Sequence, residues 1–255
     1  MIRDIKRSGP DYCSDSELSY EKYQTEFPEG HPLTFDDSYR LAHLPLVAPD
    51  HPLVISSKPE SNYHRGIHDL TYSIAIPIPA DKLLLSDKFI EFYDELKTTT
   101  FAHKISWETY DQRKDKLHAT ICGKLSTGEE PFIHKHVHDE LSHIGPVAIS
   151  VRGLFSGNIN IGRLYLKIYP ELRDGRNMCH EIQNIFGASL TNLYVVGLLN
   201  FVEELSSSET QDLTGFLARW RNCEFAQLKL DCLWLLKSRD DLVLDGSIST
   251  VIPLV

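Results

Sequence analysis

The sequence predicts an α+β fold built from two similar lobes. Strand-like and helix-like runs alternate twice in a similar order, over about 70–145 and again over about 159–236. One strand-like run of the first pass overlays on one of the second at a constant offset, with glycine on glycine. The composition, 42% hydrophobic and 24% charged over 255 residues, suits one large or bilobal folding unit with an ordinary core.

Residues 1–65 stand apart. They hold Pro10, Pro28, Pro32, Pro45, Pro49, Pro52 and Pro59, which oppose long helices and strands. Their Tyr, Leu and Phe content is too high for a disordered tail, so this segment is expected to be an extended arm packed on the domain. Residues 66–255 are expected to form a single bilobal domain with lobes of about 66–150 and 151–255, strand exchange between them being left open.

Regular structure is expected to start with a strand over 70–78, closed by Pro77 and Pro79. Ser86-Asp87 caps a helix through Phe89, Phe92, Tyr93 and Leu96. A strand over 117–125 and a helix over 132–143 follow. Strands over 147–154 and 159–168 are joined around Gly157-Asn158, and a helix over 176–186 stops at Gly187. A strand over 192–201 precedes a helix from Ser208 to Trp220. One long strand is expected over 225–236, and Leu242 to Leu244 is a candidate partner for Val251 to Leu254.

The run Lys116-Leu117-His118-Ala119-Thr120-Ile121-Cys122-Gly123 carries the chemistry. Strand side chains alternate, so His118 and Thr120 project from one face. An imidazole beside a hydroxyl can transfer a proton and hydrogen-bond a phosphate oxygen. In the overlay, Leu117–Leu125 falls on Thr191–Leu199, Gly123 on Gly197, His118 on Asn192 and Thr120 on Tyr194. Moving the register to Tyr194-Val195-Val196 or Val195-Val196-Gly197 brings in no second histidine.

This pattern resembles the two-histidine (2H) phosphoesterase superfamily, which includes 2′,3′-cyclic phosphodiesterases and RNA ligase-like proteins. The resemblance covers roughly residues 70–245. It rests on His118-Ala119-Thr120, the spacing to the second site, Phe155-Ser156-Gly157 and the Phe225-Ala226-Gln227-Leu228-Lys229-Leu230 strand. It implies a pseudo-twofold fold with two antiparallel sheets around a central cleft, and one H-x-[ST] motif per lobe. One histidine is then the general base, the other the general acid, and the hydroxyls hold the phosphate. Here the second motif is degenerate. His118 and Thr120 are the catalytic candidates, and Asn192 and Tyr194 the substrate-binding ones. An amide does not exchange protons near neutral pH, and the ordinary tyrosine pKa near 10 makes Tyr194 a poor exchanger.

The resemblance implies a divergent phosphoesterase acting without metal or cofactor on a 2′,3′-cyclic phosphate or a short oligonucleotide phosphodiester. The alternatives are a catalytically weak or inactive nucleotide-binding module of the same fold, and a protein-interaction scaffold. The net charge of −10 excludes a broad duplex-DNA surface and favours a small nucleotide or short RNA as partner. No apolar run approaches membrane-spanning length, so no membrane partner is expected.

Other features are read more plainly. The five scattered cysteines form no CxxC, and Cys122 and Cys232 read as buried thiols; a reducing cytoplasm is expected. His134 and His138 share a helical face, but nothing completes a metal site. Tyr63-His64-Arg65-Gly66-Ile67-His68 lies where the arm joins the first strand and offers two histidines that could stand in for the missing one. The acidic pairs Glu203-Glu204 and Asp240-Asp241 read as ordinary surface. There is no G-x-S-x-G, P-loop, G-x-G-x-x-G or H-E-x-x-H motif.

Overall fold

The computed structural model describes residues 9–255. The strands are β1 (Asp11–Tyr12), β2 (Ile67–Pro77), β3 (His118–Thr127), β4 (Val147–Ser156), β5 (Arg163–Arg173), β6 (Arg176–Asn177), β7 (Val195–Asn200), β8 (Glu224–Leu230), β9 (Cys232–Asp240) and β10 (Gly246–Pro253). The helices are α1 (Tyr20–Tyr23), α2 (Asp37–Ala42), α3 (Leu44–Val47), α4 (Ala80–Leu83), α5 (Asp87–Lys97), α6 (Trp107–Arg113), α7 (Lys135–Ile144), α8 (Met178–Ile185) and α9 (Ser207–Trp220). The fold is mixed α+β, built on one large curled antiparallel sheet. No helix among the described residues is long and apolar enough to cross a membrane.

The expected pair of separate sheets is instead one ten-stranded sheet, with main order β10-β9-β2-β3-β7-β5-β4-β8. Two four-stranded halves meet where β3 pairs with β7, through the single register pair Ala119 and Val196. The first half takes strands from both parts of the chain. β9 and β10, from the C-terminal part, pair onto β2, while β4 belongs with β5 and β8. The long strand expected over 225–236 divides at Asp231 into β8 and β9. β8 is one edge of the sheet and β9 lies one strand in from the other. Chain neighbours are only about 3.8 Å apart, so the sheet must curl until these two regions meet at Asp231. Cys232 begins β9 at that corner and is partly exposed, whereas Cys122 is buried. Residues 242–244 form no strand, since the chain turns there before β10.

Local chemistry explains the helices that frame the sheet. The Ser86 side chain caps α5 by accepting from the Phe89 amide. Ser206 and Glu209 form a capping box at the start of α9. Both helices contribute aromatic rings to one cluster. Phe92 contacts Phe89, Phe216, Trp220 and Phe225 at centroid separations of 5.4–5.5 Å, mostly in edge-on or tilted geometry. Helix α6 has no counterpart in the sequence expectation; its Tyr110 and Arg113 are buried against the sheet region.

Alternation along the strands sets the two faces. On β3, Ala119 and Ile121 are buried, while His118 and Thr120 face the other way. On β5, the row Arg163, Tyr165, Lys167 and Tyr169 shares one face. Residues from the N-terminal segment cover that row. Tyr20 packs on Tyr169 with ring centroids 5.5 Å apart, and His43 Nε2 lies 3.0 Å from Arg163 Nη1. Tyr39 donates from its hydroxyl to the Phe201 carbonyl at 2.6 Å. Removing the ring at the centre of the aromatic cluster should be costly: Phe92→Ala should lower stability by about 3–5 kcal/mol, read as a drop in urea midpoint at unchanged slope.

Candidate functional site

A polar cavity of about 290 Å³ lies over the first half of the sheet. β3 lines it with His118, Thr120 and Lys124, β2 with His68, Thr71 and Ser73, and β9 with Ser238. Arg163 from the head of β5, His43 and Tyr63 from the N-terminal segment, Asp240 at the end of β9 and Asp241 just after it also line the cavity. Another cavity of about 290 Å³ lies between residues 24–27, β4 and α9. It is lined largely by Phe27, Leu154, Phe155 and Leu217, and contains no histidine.

His118 is held by one ring nitrogen. Its Nδ1 lies 2.7 Å from the Lys116 carbonyl, which can only accept, so Nδ1 carries the proton. In the neutral ring Nε2 is then an acceptor. Burial pushes the imidazole down to about 4; the Lys116 carbonyl opposes the shift, and the cations of Arg113 and Arg163 add to it. The ring is therefore neutral at pH 7. Thr120, two residues on, is exposed and lines the same cavity.

The partner strand brings no second histidine to the site. Ala119 faces Val196, so antiparallel register sets Gly197 beside His118 and Val195 beside Thr120. The local twofold of that pair relates His118 to Val195 and Thr120 to Gly197. A side chain at Gly197 would overlap the Arg163 guanidinium, so the glycine makes room for it. Arg163 donates from Nη1 toward His43 Nε2 at 3.0 Å and the Asp241 carbonyl at 3.4 Å, while its buried Nε has no partner among the described residues. Arg113 donates from Nη2 to the Gly197 carbonyl at 3.2 Å and from Nε to the Leu242 carbonyl. Its Nη1 is likewise buried and unpartnered, and burial pushes this guanidinium down to about 9, still charged at neutral pH. Cationic donors with unused hydrogen-bonding capacity thus cluster around the Gly197 backbone.

Asn192 and Tyr194 do not join this site. They precede β7, and neither lines the cavity. Tyr194 is fully buried with its hydroxyl 3.3 Å from Gln183 Oε1 on α8. The Asn192 carbonyl accepts from the Ser19 amide at 2.9 Å, and its buried side-chain Oδ1 has no partner among the described residues.

Within Tyr63–His68, the two histidines part company. His64 is exposed and lies outside the cavity, as does Arg65. His68 is buried and lines it. Its Nδ1 lies 2.6 Å from the Asp69 carbonyl and its Nε2 3.5 Å from Asp241 Oδ1. Tyr63 donates to Asp241 Oδ2 at 2.8 Å. The hydrogen bond to Asp241 raises the His68 pKa, against the burial that lowers it. Burial raises Asp241, but donation from His68 and Tyr63, with nearby His43 and Arg163, holds its carboxyl well below the usual range.

Asp240 and Asp241 are therefore not ordinary surface. Asp240 is 1% exposed because its carboxylate accepts from the Leu242, Leu244 and Asp245 amides and builds the turn that closes over the site. Glu204 also has a structural task, accepting from the Phe35 amide at 2.8 Å. Sequence reasoning missed Arg163, His43 and Asp241. Arg163 had a legible signal: a cation heading an apolar strand, in phase with Tyr165, Lys167 and Tyr169. His43 and Asp241 had none, since their places depend on long-range packing.

Among the described residues, no group of three His, Cys, Asp or Glu side chains could hold a metal ion. His134 and His136 stack at 5.6 Å without further ligands. No protein-family model matches the chain, and no curated protein matches it in sequence.

The depressed histidines set a direction for stability against pH. Below pH 6.5 the unfolded chain takes up protons that folded His118 refuses until about pH 4, so stability falls as pH drops through that window. His43, pushed down by burial to about 3, adds in the same sense. His118→Asn should therefore show a shallower loss of unfolding free energy between pH 6.5 and 4 than the natural chain, measured by urea denaturation at stepped pH.

Proposed function

We propose that this chain is a divergent two-histidine phosphoesterase, cleaving a 2′,3′-cyclic phosphate or a short oligonucleotide phosphodiester without metal. Two four-stranded halves meeting at one strand pair support that bilobal plan, with β9 and β10 exchanged onto the first half. The observation that carries the activity is His118, tied at Nδ1 and free at Nε2, in a polar cavity beside a buried guanidinium. His118 Nε2 accepts the proton of the attacking water. The Arg163 guanidinium and the Thr120 hydroxyl hold the phosphoryl oxygens and stabilise the charge that grows on them. The polar lining disfavours a scaffold, whose cleft would be filled by its own apolar side chains.

A nucleotide-binding module without turnover is the second reading, favoured by Val195 and Gly197 standing where the second histidine and hydroxyl would be. The acidic chain supports a small nucleotide rather than long RNA, which draws on many phosphate contacts. The five free thiols support a cytoplasmic setting.

Hydrolysis of 2′,3′-cyclic mononucleotides and short 2′–5′ and 3′–5′ oligonucleotides tests the proposal. His118→Ala should reduce turnover about 10²–10⁴-fold with the fold intact. Binding with no turnover by the natural chain would select the nucleotide-binding module, and neither binding nor turnover would return the scaffold.

A further inference from the structure

A metal-free phosphodiester cleavage needs two proton transfers, and His118 accounts for one. Expelling a ribose oxygen without a proton would leave an alkoxide, a poor leaving group. Neither Val195 nor Gly197 can supply that proton. His68 is the other histidine of the cavity wall that carries a mobile proton. His43 sits deeper, and its Nε2 accepts from Arg163, while burial keeps the ring neutral.

We infer that His68 is the second proton-transfer group of this site, giving its Nε2 proton to the ribose oxygen that leaves phosphorus. The assignment rests on the phosphoesterase proposal above. His68 comes from the junction of the N-terminal segment with β2, outside both places where the twofold plan would put a histidine. Nδ1 is committed to the Asp69 carbonyl at 2.6 Å, whereas Nε2 is held to Asp241 across a longer 3.5 Å contact, so the Nε2 proton is the more loosely held of the two. Asp241 is a positioning residue, fixed in turn by the Tyr63 hydroxyl, and its backbone carbonyl lies 3.4 Å from the Arg163 guanidinium. His68 and the phosphate-holding arginine are therefore anchored to one residue. The environments also push the two histidines apart, His118 toward the neutral base and His68 toward the protonated acid, the separation an acid–base pair requires.

The step balances. The water oxygen bonds to phosphorus and its proton passes to His118 Nε2. The bond from phosphorus to the ribose oxygen breaks, the electron pair stays on that oxygen, and the His68 proton neutralises it. Solvent then returns a proton to His68 and removes one from His118.

Leaving-group dependence separates this role from a structural one. The probes are 2′,3′-cyclic CMP, whose leaving oxygen needs a proton, and thymidine 5′-p-nitrophenyl phosphate, whose nitrophenolate does not. His68→Gln should lower turnover of the cyclic nucleotide about 100-fold or more, and change nitrophenyl release by less than about threefold. His118→Ala should lower both. Asp241→Asn, which leaves the imidazole in place and removes the charge that keeps it protonated, should repeat the selective loss if His68→Gln folds poorly. Equal loss on both probes, or no loss on either, would overturn the assignment of His68 while leaving the phosphoesterase proposal standing. Absence of turnover of both probes by the natural chain would remove that proposal, and this one with it.

Discussion

The pairing of β3 with β7 is the constraint on which the rest of the molecule depends. One register pair, Ala119 with Val196, joins two half-sheets that otherwise share no strand contact along the sheet path. It brings the His118 strand against a strand that offers only Val195 and Gly197 on the same face. The missing side chain at Gly197 is what lets the Arg163 guanidinium reach the seam. A change there would move the cation, and with it His43 and the Asp241 turn that lean on it.

That arrangement concentrates charge where burial makes it costly. Arg163 is 8% exposed and Arg113 4%, and each keeps an N–H group without a partner among the described residues. Leaving a buried donor unsatisfied costs about 1–3 kcal/mol, more for a charged group. Such groups are few in folded proteins, and a bound water or ion, strain or a functional role accounts for them. Asp240 and Asp241 offset part of the charge, but Asp240 is committed to turn amides and Asp241 to His68 and Tyr63. Among the described residues, neither carboxylate reaches the orphaned guanidinium N–H groups. The N-terminal segment has a double part in this: it covers the Arg163–Tyr169 row with Tyr20 and His43, and it delivers Tyr63 to the cavity beside His68 of β2.

The legible parts of the chain were those governed by local alternation. Period-two patterning placed His118 and Thr120 on one face, and apolar runs located most strands and helices. The overlay failed at Asn192 and Tyr194 because it matched Gly123 to Gly197. Strand β3 is irregular there: its pairing with β2 shifts register around Ile74, and Lys124 takes a positive φ of 52°. The two glycines therefore do different jobs: Gly197 makes room for the Arg163 guanidinium, whereas Gly123 lines the cavity. The division at Asp231 was illegible because one polar residue does not interrupt an alternating pattern. His68 was within view in the Tyr63–His68 run, but choosing it over His64 required the irregular β2–β9 pairing between Ile67 and Thr71 and the turn that presents Asp241. Acidic residues in sequence look alike whether they meet water or cap a turn, which is why Asp240 and Asp241 passed as surface.

The central claim is the proposal that Arg163, seated against Gly197, holds the phosphate. The direct measurement is a calorimetric titration of cytidine 2′- and 3′-monophosphate into the natural chain and an Arg163→Gln variant, with both folded at pH 7. Binding by the natural chain that weakens about tenfold or more in the variant is the expected result, given about 1.5–3 kcal/mol for hydrogen bonds to charged groups. Equal affinity in the two proteins would contradict it, and would show that Arg163 serves only the packing of the seam.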